Sequence, residues 1–113
     1  VDVSGANLDR TLAALADPHR RGVVEILRRG PRSAGALAEA LEITPPAMSR
    51  HLKTLRDCGL VTPSNPEFDA RVRVYALRPG PIVELMRWLE ETERMWSGQL
   101  SAFKAHVEKA REP

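Results

Sequence analysis

Cysteine is almost missing from this chain. Cys58 stands alone among 113 residues and has no intramolecular disulfide partner, a pattern that suits a reducing compartment, with the cytoplasm as the expected location. No apolar run approaches the roughly 18 residues that a bilayer-spanning helix needs, so membrane insertion is not expected. The opening Val1-Asp-Val-Ser-Gly-Ala-Asn7 has neither a basic start nor an apolar signal core, and export is not expected. A glycine-rich phosphate loop, paired catalytic carboxylates and a Ser/His/Asp context are lacking, which argues against an enzyme and against a cofactor. Cys58 and His51 are seven positions apart, about 10.5 Å along a helix, too far for the imidazole to activate the thiol. Cys58 therefore reads as a small residue at the edge of a core. An excess of one charge is lacking too: 17 basic against 15 acidic side chains leave a net +2, and no segment is a polybasic tail. What remains, 42% hydrophobic and 28% charged residues without repeats, points to one globular domain over residues 1–113.

The most informative segment runs from Thr44 to Val61. Thr44 suits a helix N-cap, Pro45 and Pro46 suit the first helical positions, and Gly59 suits a left-handed C-terminal cap. At about 100° per residue Met48, Leu52 and Leu55 share one stripe, while Pro46, Arg50 and Lys53 point the other way beside Ser49 and Thr54. One face packs and the other is free. A free face of arginine, lysine and hydroxyls near a helix N-terminus fits a DNA major groove, where Arg offers a bidentate fork to guanine and Lys neutralises phosphate. With so little net charge, such a surface has to arise from placement. Ala47, Ser49 and Arg50 are the expected base-edge readers, with Pro46 shaping the start of the helix. Thr44, His51, Lys53 and Arg56 are the expected backbone contacts. For His51, a bond to the protein backbone is an equal alternative.

Upstream, Leu8, Leu12 and Leu15 predict a first helix over 8–16, and Asp17-Pro18 starts a second through Val23, Val24, Ile26 and Leu27 that ends at Gly30-Pro31. Ser33 caps a short helix, Ala34 to Leu41, and Glu42-Ile43 joins it to the Thr44 cap. Residues 33–58 thus read as a helix-turn-helix. Downstream, Leu60–Pro63 and Arg71–Leu77 are strand candidates around Ser-Asn-Pro-Glu-Phe-Asp-Ala, a connection suited to a wing over 60–77. Arg71 and Arg73 fall on one side of their strand and would grip phosphate or an adjacent minor groove. The expected fold is mainly α with a small β-hairpin, a winged helix-turn-helix.

Pro79-Gly80-Pro81 opens some thirty residues free of proline. Ile82, Leu85, Leu89, Trp96, Leu100, Phe103 and Val107 keep three- and four-residue spacings there, weakened only at Thr92 and Glu93. Thirty residues at about 1.5 Å each reach ~45 Å, more than the preceding domain needs to cover itself. The excess, with Trp88 and Trp96 on it, predicts a partner. Gly98 marks a kink or a close crossing.

In series, Leu15-Ala-Asp-Pro-His-Arg-Arg21, Val23-Val-Glu-Ile-Leu27, Gly35-Ala-Leu-Ala-Glu-Ala-Leu41, Pro46-Ala-Met-Ser-Arg-His-Leu-Lys-Thr-Leu-Arg56 and Gly59-Leu-Val61 resemble the ArsR/SmtB family of bacterial winged-helix repressors. The similarity runs from Leu12 to Val107. The tail around Trp88, Leu89, Trp96 and Leu100 looks like the non-metal subgroup that includes the autorepressor of a sporulation-delaying toxin system. This resemblance implies a homodimeric repressor whose long first and last helices, 8–16 and 81–111, form the interface. Leu8, Leu12, Leu85, Leu89, Trp96, Leu100 and Phe103 would lie in it. Each reading helix and wing would occupy one half-site of a double-stranded DNA operator.

The cysteine pair of metal-sensing members falls on Ser33-Ala-Gly-Ala-Leu37, and of the alternative site on the last helix only His106 and Glu108 survive. No metal site is expected. Two other functions fit the same fold. One is a protein-interaction module that binds a partner such as an anti-repressor through the long helix. The other is a sensor gated by an effector or metal.

Overall fold

Asp17 and Pro18 separate the first two helices in a computed structural model that describes residues 3–64 and 73–111. Helix α1 covers Val3–Leu15, and α2 covers Pro18–Leu27. The carboxylate of Asp17 accepts from the backbone N–H groups of His19 and Arg20, so α2 starts where the sequence places it. Helix α1 begins at Val3 rather than Leu8, because no proline or capping residue interrupts helical hydrogen bonding in between.

Helices α3 (Ala34–Ala40) and α4 (Pro45–Asp57) form the helix-turn-helix. Both end alike. At the end of α4 Gly59 has φ +80°, Gly59 N–H bonds Arg56 O at 3.0 Å and Leu60 N–H bonds Leu55 O at 2.9 Å. At the end of α3 Glu42 has φ +56°, with Glu42 N–H bonding Glu39 O and Ile43 N–H bonding Ala38 O at 3.2 and 3.1 Å. A glutamate thus sits where this left-handed cap usually takes glycine. Leu41 becomes the cap of α3 rather than its last helical residue.

The sheet has three antiparallel strands in the order β1-β3-β2: β1 (Arg32–Ser33), β2 (Val61–Ser64) and β3 (Val74–Leu77). Strand β2 starts one residue later than expected, and Arg71 and the connection over 65–72 lie outside the described residues. Strand β1 is an addition to the sequence reading. Two residues are too short to show an alternating pattern, and Ser33 serves both as the β1 partner of Val74 and as the N-cap of α3. This third strand fixes β3, and Arg73 just before it, against the start of α3.

The core joins α1 through Ala14, α2 through Val23 and Leu27, α3 through Leu37 and Ala38, and α4 through Met48, Leu52 and Leu55, closed by Leu60, Val61 and Tyr75. The stripe expected on α4 is thus buried, which fixes the rotation of the helix and sends its other face outward. Helix α5 (Gly80–Arg111) differs: among its described residues none is buried. Its first part packs on α1 and the rest projects, giving extents of 76 × 31 × 22 Å. No helix among the described residues is long and apolar enough to cross a membrane.

Candidate nucleic-acid interface

Helix α4 is locked at both ends before any partner arrives. Thr44 Oγ1 accepts from Ala47 N–H at 3.3 Å, and the prolines at 45 and 46 need no donor partners. With Met48, Leu52 and Leu55 inside, Thr44, Pro46, Ser49, Arg50, Lys53 and Arg56 are exposed, and Ala47 is half-buried. Arg50 has no carboxylate within ion-pair distance among the described residues, which leaves its guanidinium fork available. Thr54 donates its hydroxyl proton back to Arg50 O, which turns it from outward reading towards its own helix.

Ser49, Lys53 and Arg56 on α4 meet Arg73 across a groove of about 390 Å³ whose floor is Ala34, Leu52 and Tyr75. Three cationic side chains from two elements thus converge on one concave surface with no acidic residue in its lining. Concavity lined by one sign of charge concentrates the field, which suits a phosphate of a nucleic-acid backbone. Tyr75 falls two residues after Arg73, so strand alternation could have put it on the same side. Ala34 comes to the groove through the β1 pairing that the sequence did not reveal.

His51 takes a different course from its neighbours. It is half-buried, its Nδ1 lies 3.3 Å from an Arg20 guanidinium nitrogen, and its ring centroid is 5.6 Å from that of His19. Arg20 also donates from Nε to Ala14 O at 2.6 Å and from its second terminal nitrogen to Ala13 O at 3.4 Å. One guanidinium therefore ties the end of α1 and the start of α2 to the reading helix. No sequence signal marked Arg20 for this, since 31 positions separate it from His51.

Asp17, His19 and His51 bring one potential metal-ligating atom each to within 4.8 Å of one another. The Asp17 carboxylate is already the cap of α2, and Arg20 presents a cation to the imidazole nitrogen that would otherwise be a ligand. Partial burial works against the charge of Asp17, but the N–H bonds from Arg20 and His19 and the nearby His51 and Arg20 outweigh it. Its carboxyl is held below the ordinary value of 3.8.

The expected interface residues on the terminal helices divide by exposure. Leu8 and Leu85 are half-buried between α1 and α5, whereas Leu12, Leu89, Trp96, Leu100 and Phe103 are exposed, along with Met86, Trp88 and Met95. So much apolar side chain on one projecting helix is unusual for an isolated surface.

The description "bacterial regulatory protein, arsR family" matches residues 17–62, from the Asp17 cap into β2. Over 97 residues the chain is 37% identical to the HTH-type transcriptional regulator Rv2034 of Mycobacterium tuberculosis (strain ATCC 25618 / H37Rv), covering 84% of this chain and 83% of that one. Over 55 residues it is 31% identical to the transcriptional repressor SdpR of Bacillus subtilis (strain 168), covering 49% and 61% of the two chains. Among solved structures, an ArsR-like transcriptional regulator from Rhodococcus sp. RHA1 superimposes with a TM-score of 0.78 at 31% identity, over 92% of this chain and 93% of that one. With α3 and α4 as its helix-turn-helix and β2 and β3 as the base of its wing, this chain belongs to the arsR family of bacterial regulatory proteins.

Proposed function

We propose that the chain is a homodimeric repressor that binds a double-stranded DNA operator through α4 and the wing. The carrying observation is the outward face of α4 beside the groove of Lys53, Arg56 and Arg73. Pro46, Ala47, Ser49 and Arg50 lead into the major groove as base-edge readers. Thr44, Lys53 and Arg56 hold the backbone, and Arg73 with Arg71 grips it from the wing. His51 acts from behind, through Arg20, by holding the angle of α4 against α1 and α2.

A second copy is the occupant we assign to the exposed face of α5. A two-fold pairing covers Leu89, Trp96, Leu100 and Phe103 on both subunits at once and also supplies a second reading helix. Two such helices about 34 Å apart enter successive major grooves on one side of a duplex. An anti-repressor protein would compete for the same face, yet it would supply no second reading helix. We place the chain with the non-metal members, as its similarity to SdpR suggests. No thiol stands at positions 33–37, and the Asp17, His19 and His51 group is occupied by capping and by Arg20.

Footprinting of the purified protein across genomic DNA tests this reading, followed by a reporter fused to the recovered site. Protection of a two-fold site that overlaps a promoter, with reporter output falling when the protein is supplied, is the expected result. Uniform weak protection, or protection without loss of output, contradicts it.

A further inference from the structure

A second cavity, on the far side of α4 from the phosphate groove, lies between the end of α1 and the C-terminal half of α4. Its volume is about 330 Å³, and it is lined by Arg10, Ala13, Ala14, Arg20, Thr54, Asp57 and Cys58. None of the DNA-facing residues named above contributes to it. Two guanidinium groups and one carboxylate leave the lining with an excess of one positive charge, set against the alanine methyls and the half-buried thiol.

The donor count of Arg20 limits what can bind. Of its five N–H groups, three are used by Ala14 O, Ala13 O and His51 Nδ1, so two remain. Arg10 is exposed and has no carboxylate within ion-pair distance among the described residues. Two guanidinium groups with unspent donors match a carboxylate or another small oxyanion. Asp57 in the same lining repels a second negative charge. Size is equally restrictive. The cavity is at the lower end of the range of ~300–1,000 Å³ for small-molecule sites, which excludes nucleotides and long acyl chains.

We propose that this cavity is an effector site for a compact organic monoanion, a single carboxylate on a short apolar body. The carboxylate sits between Arg10 and Arg20, and the apolar part lies against Ala13, Ala14 and Cys58. Arg20 gives the site its route to function, because the guanidinium that meets the ligand also holds His51 on the reading helix. Drawing Arg20 towards an anion weakens its hold on His51 and lets α4 change its angle. This regulatory consequence rests on the DNA-binding reading above, whereas binding of the anion does not.

Cys58 is the single cysteine of the chain and lines the cavity, so its alkylation reports occupancy directly. Full-length protein is treated with iodoacetamide in the presence of benzoate or of neutral benzamide at equal millimolar concentration. The same series is run on Arg10→Gln, whose exposed position leaves the fold intact, as thermal unfolding verifies. Benzoate is expected to slow alkylation of the wild type several-fold, benzamide is expected not to, and Arg10→Gln is expected to lose the protection. Equal protection by both compounds, or protection that survives Arg10→Gln, overturns the anion site. In a second arm, operator affinity is measured with and without benzoate, and a change of about fivefold or more confined to the wild type is expected. Protection with unchanged operator affinity overturns the effector role. Protection in a protein that binds no duplex at all contradicts the operator reading and leaves the anion site standing.

Discussion

Truncation of Trp96 to alanine separates a dimerising α5 from a helix that merely tolerates apolar residues. Trp96 leaves 60% of its surface exposed in the single subunit. A large aromatic side chain buries roughly 150–250 Å², so about 90–150 Å² is available for a partner. At ~25 cal/mol per Å² this corresponds to about 2–4 kcal/mol per subunit, and the two-fold makes the loss occur twice. Ordering of side chains and imperfect packing offset part of any such burial. If half survives, Trp96→Ala weakens the dimer by about 2–4 kcal/mol, or ~30- to 1,000-fold in dissociation constant. Because Trp96 is remote from the core of Leu37, Met48, Leu52 and Leu55, the subunit itself should stay folded. Sedimentation equilibrium reads the association, and circular dichroism checks the fold. A change of less than about threefold in a folded variant would refute the assignment of this face to a second copy.

Arg50→Ala should cost ~1–3 kcal/mol on the preferred operator and little on random duplex, as measured by fluorescence anisotropy. Arg73→Ala should instead weaken all duplexes alike and reduce the salt slope by about 1. Equal losses on every sequence for Arg50 would remove it from the readers. Glu42→Gly relieves a left-handed glutamate at the cost of a more flexible unfolded chain, so urea unfolding should show between zero and about 1 kcal/mol of gain. Glu42→Val, branched at a positive φ, should lose about 1 kcal/mol or more. For Asp17 the folded carboxyl lies below 3.8, so its contribution to stability is complete above that value and disappears as pH falls through the folded-state pKa. The Asp17→Asn variant should therefore show a shallower loss of stability on acidification, and an unchanged acid limb would contradict the capping account.

Much of the fold was legible because local chemistry marked the ends of its helices. Asp17-Pro18, Ser33, Thr44-Pro45-Pro46 and Gly59 are signals that act within four residues, and each lies at the boundary where it was expected. The α4 stripe was legible for a related reason, since a 3.6-residue period separates buried Met48, Leu52 and Leu55 from exposed Ser49, Arg50 and Lys53. Strand β1 was hidden because its two residues are paired by β3, some forty positions away. Arg20 was hidden for the same reason: its partners on α1 are near in sequence, but His51 is brought to it only by folding. Of the candidate site, the outward residues of α4 could be read directly. Their union with Arg73 over a floor of Ala34 and Tyr75 needed the sheet.

The central claim is that two paired subunits present two cationic reading faces to one duplex, and a salt titration on operator DNA tests it most directly. Lys53, Arg56 and Arg73 give three described cations per subunit, or six per dimer. At about 0.9 per neutralised phosphate, log affinity against log salt should fall with a slope near −5, with the operator bound more tightly than a scrambled duplex throughout. A slope near zero, or equal affinity for the operator and its scrambled counterpart, would contradict it.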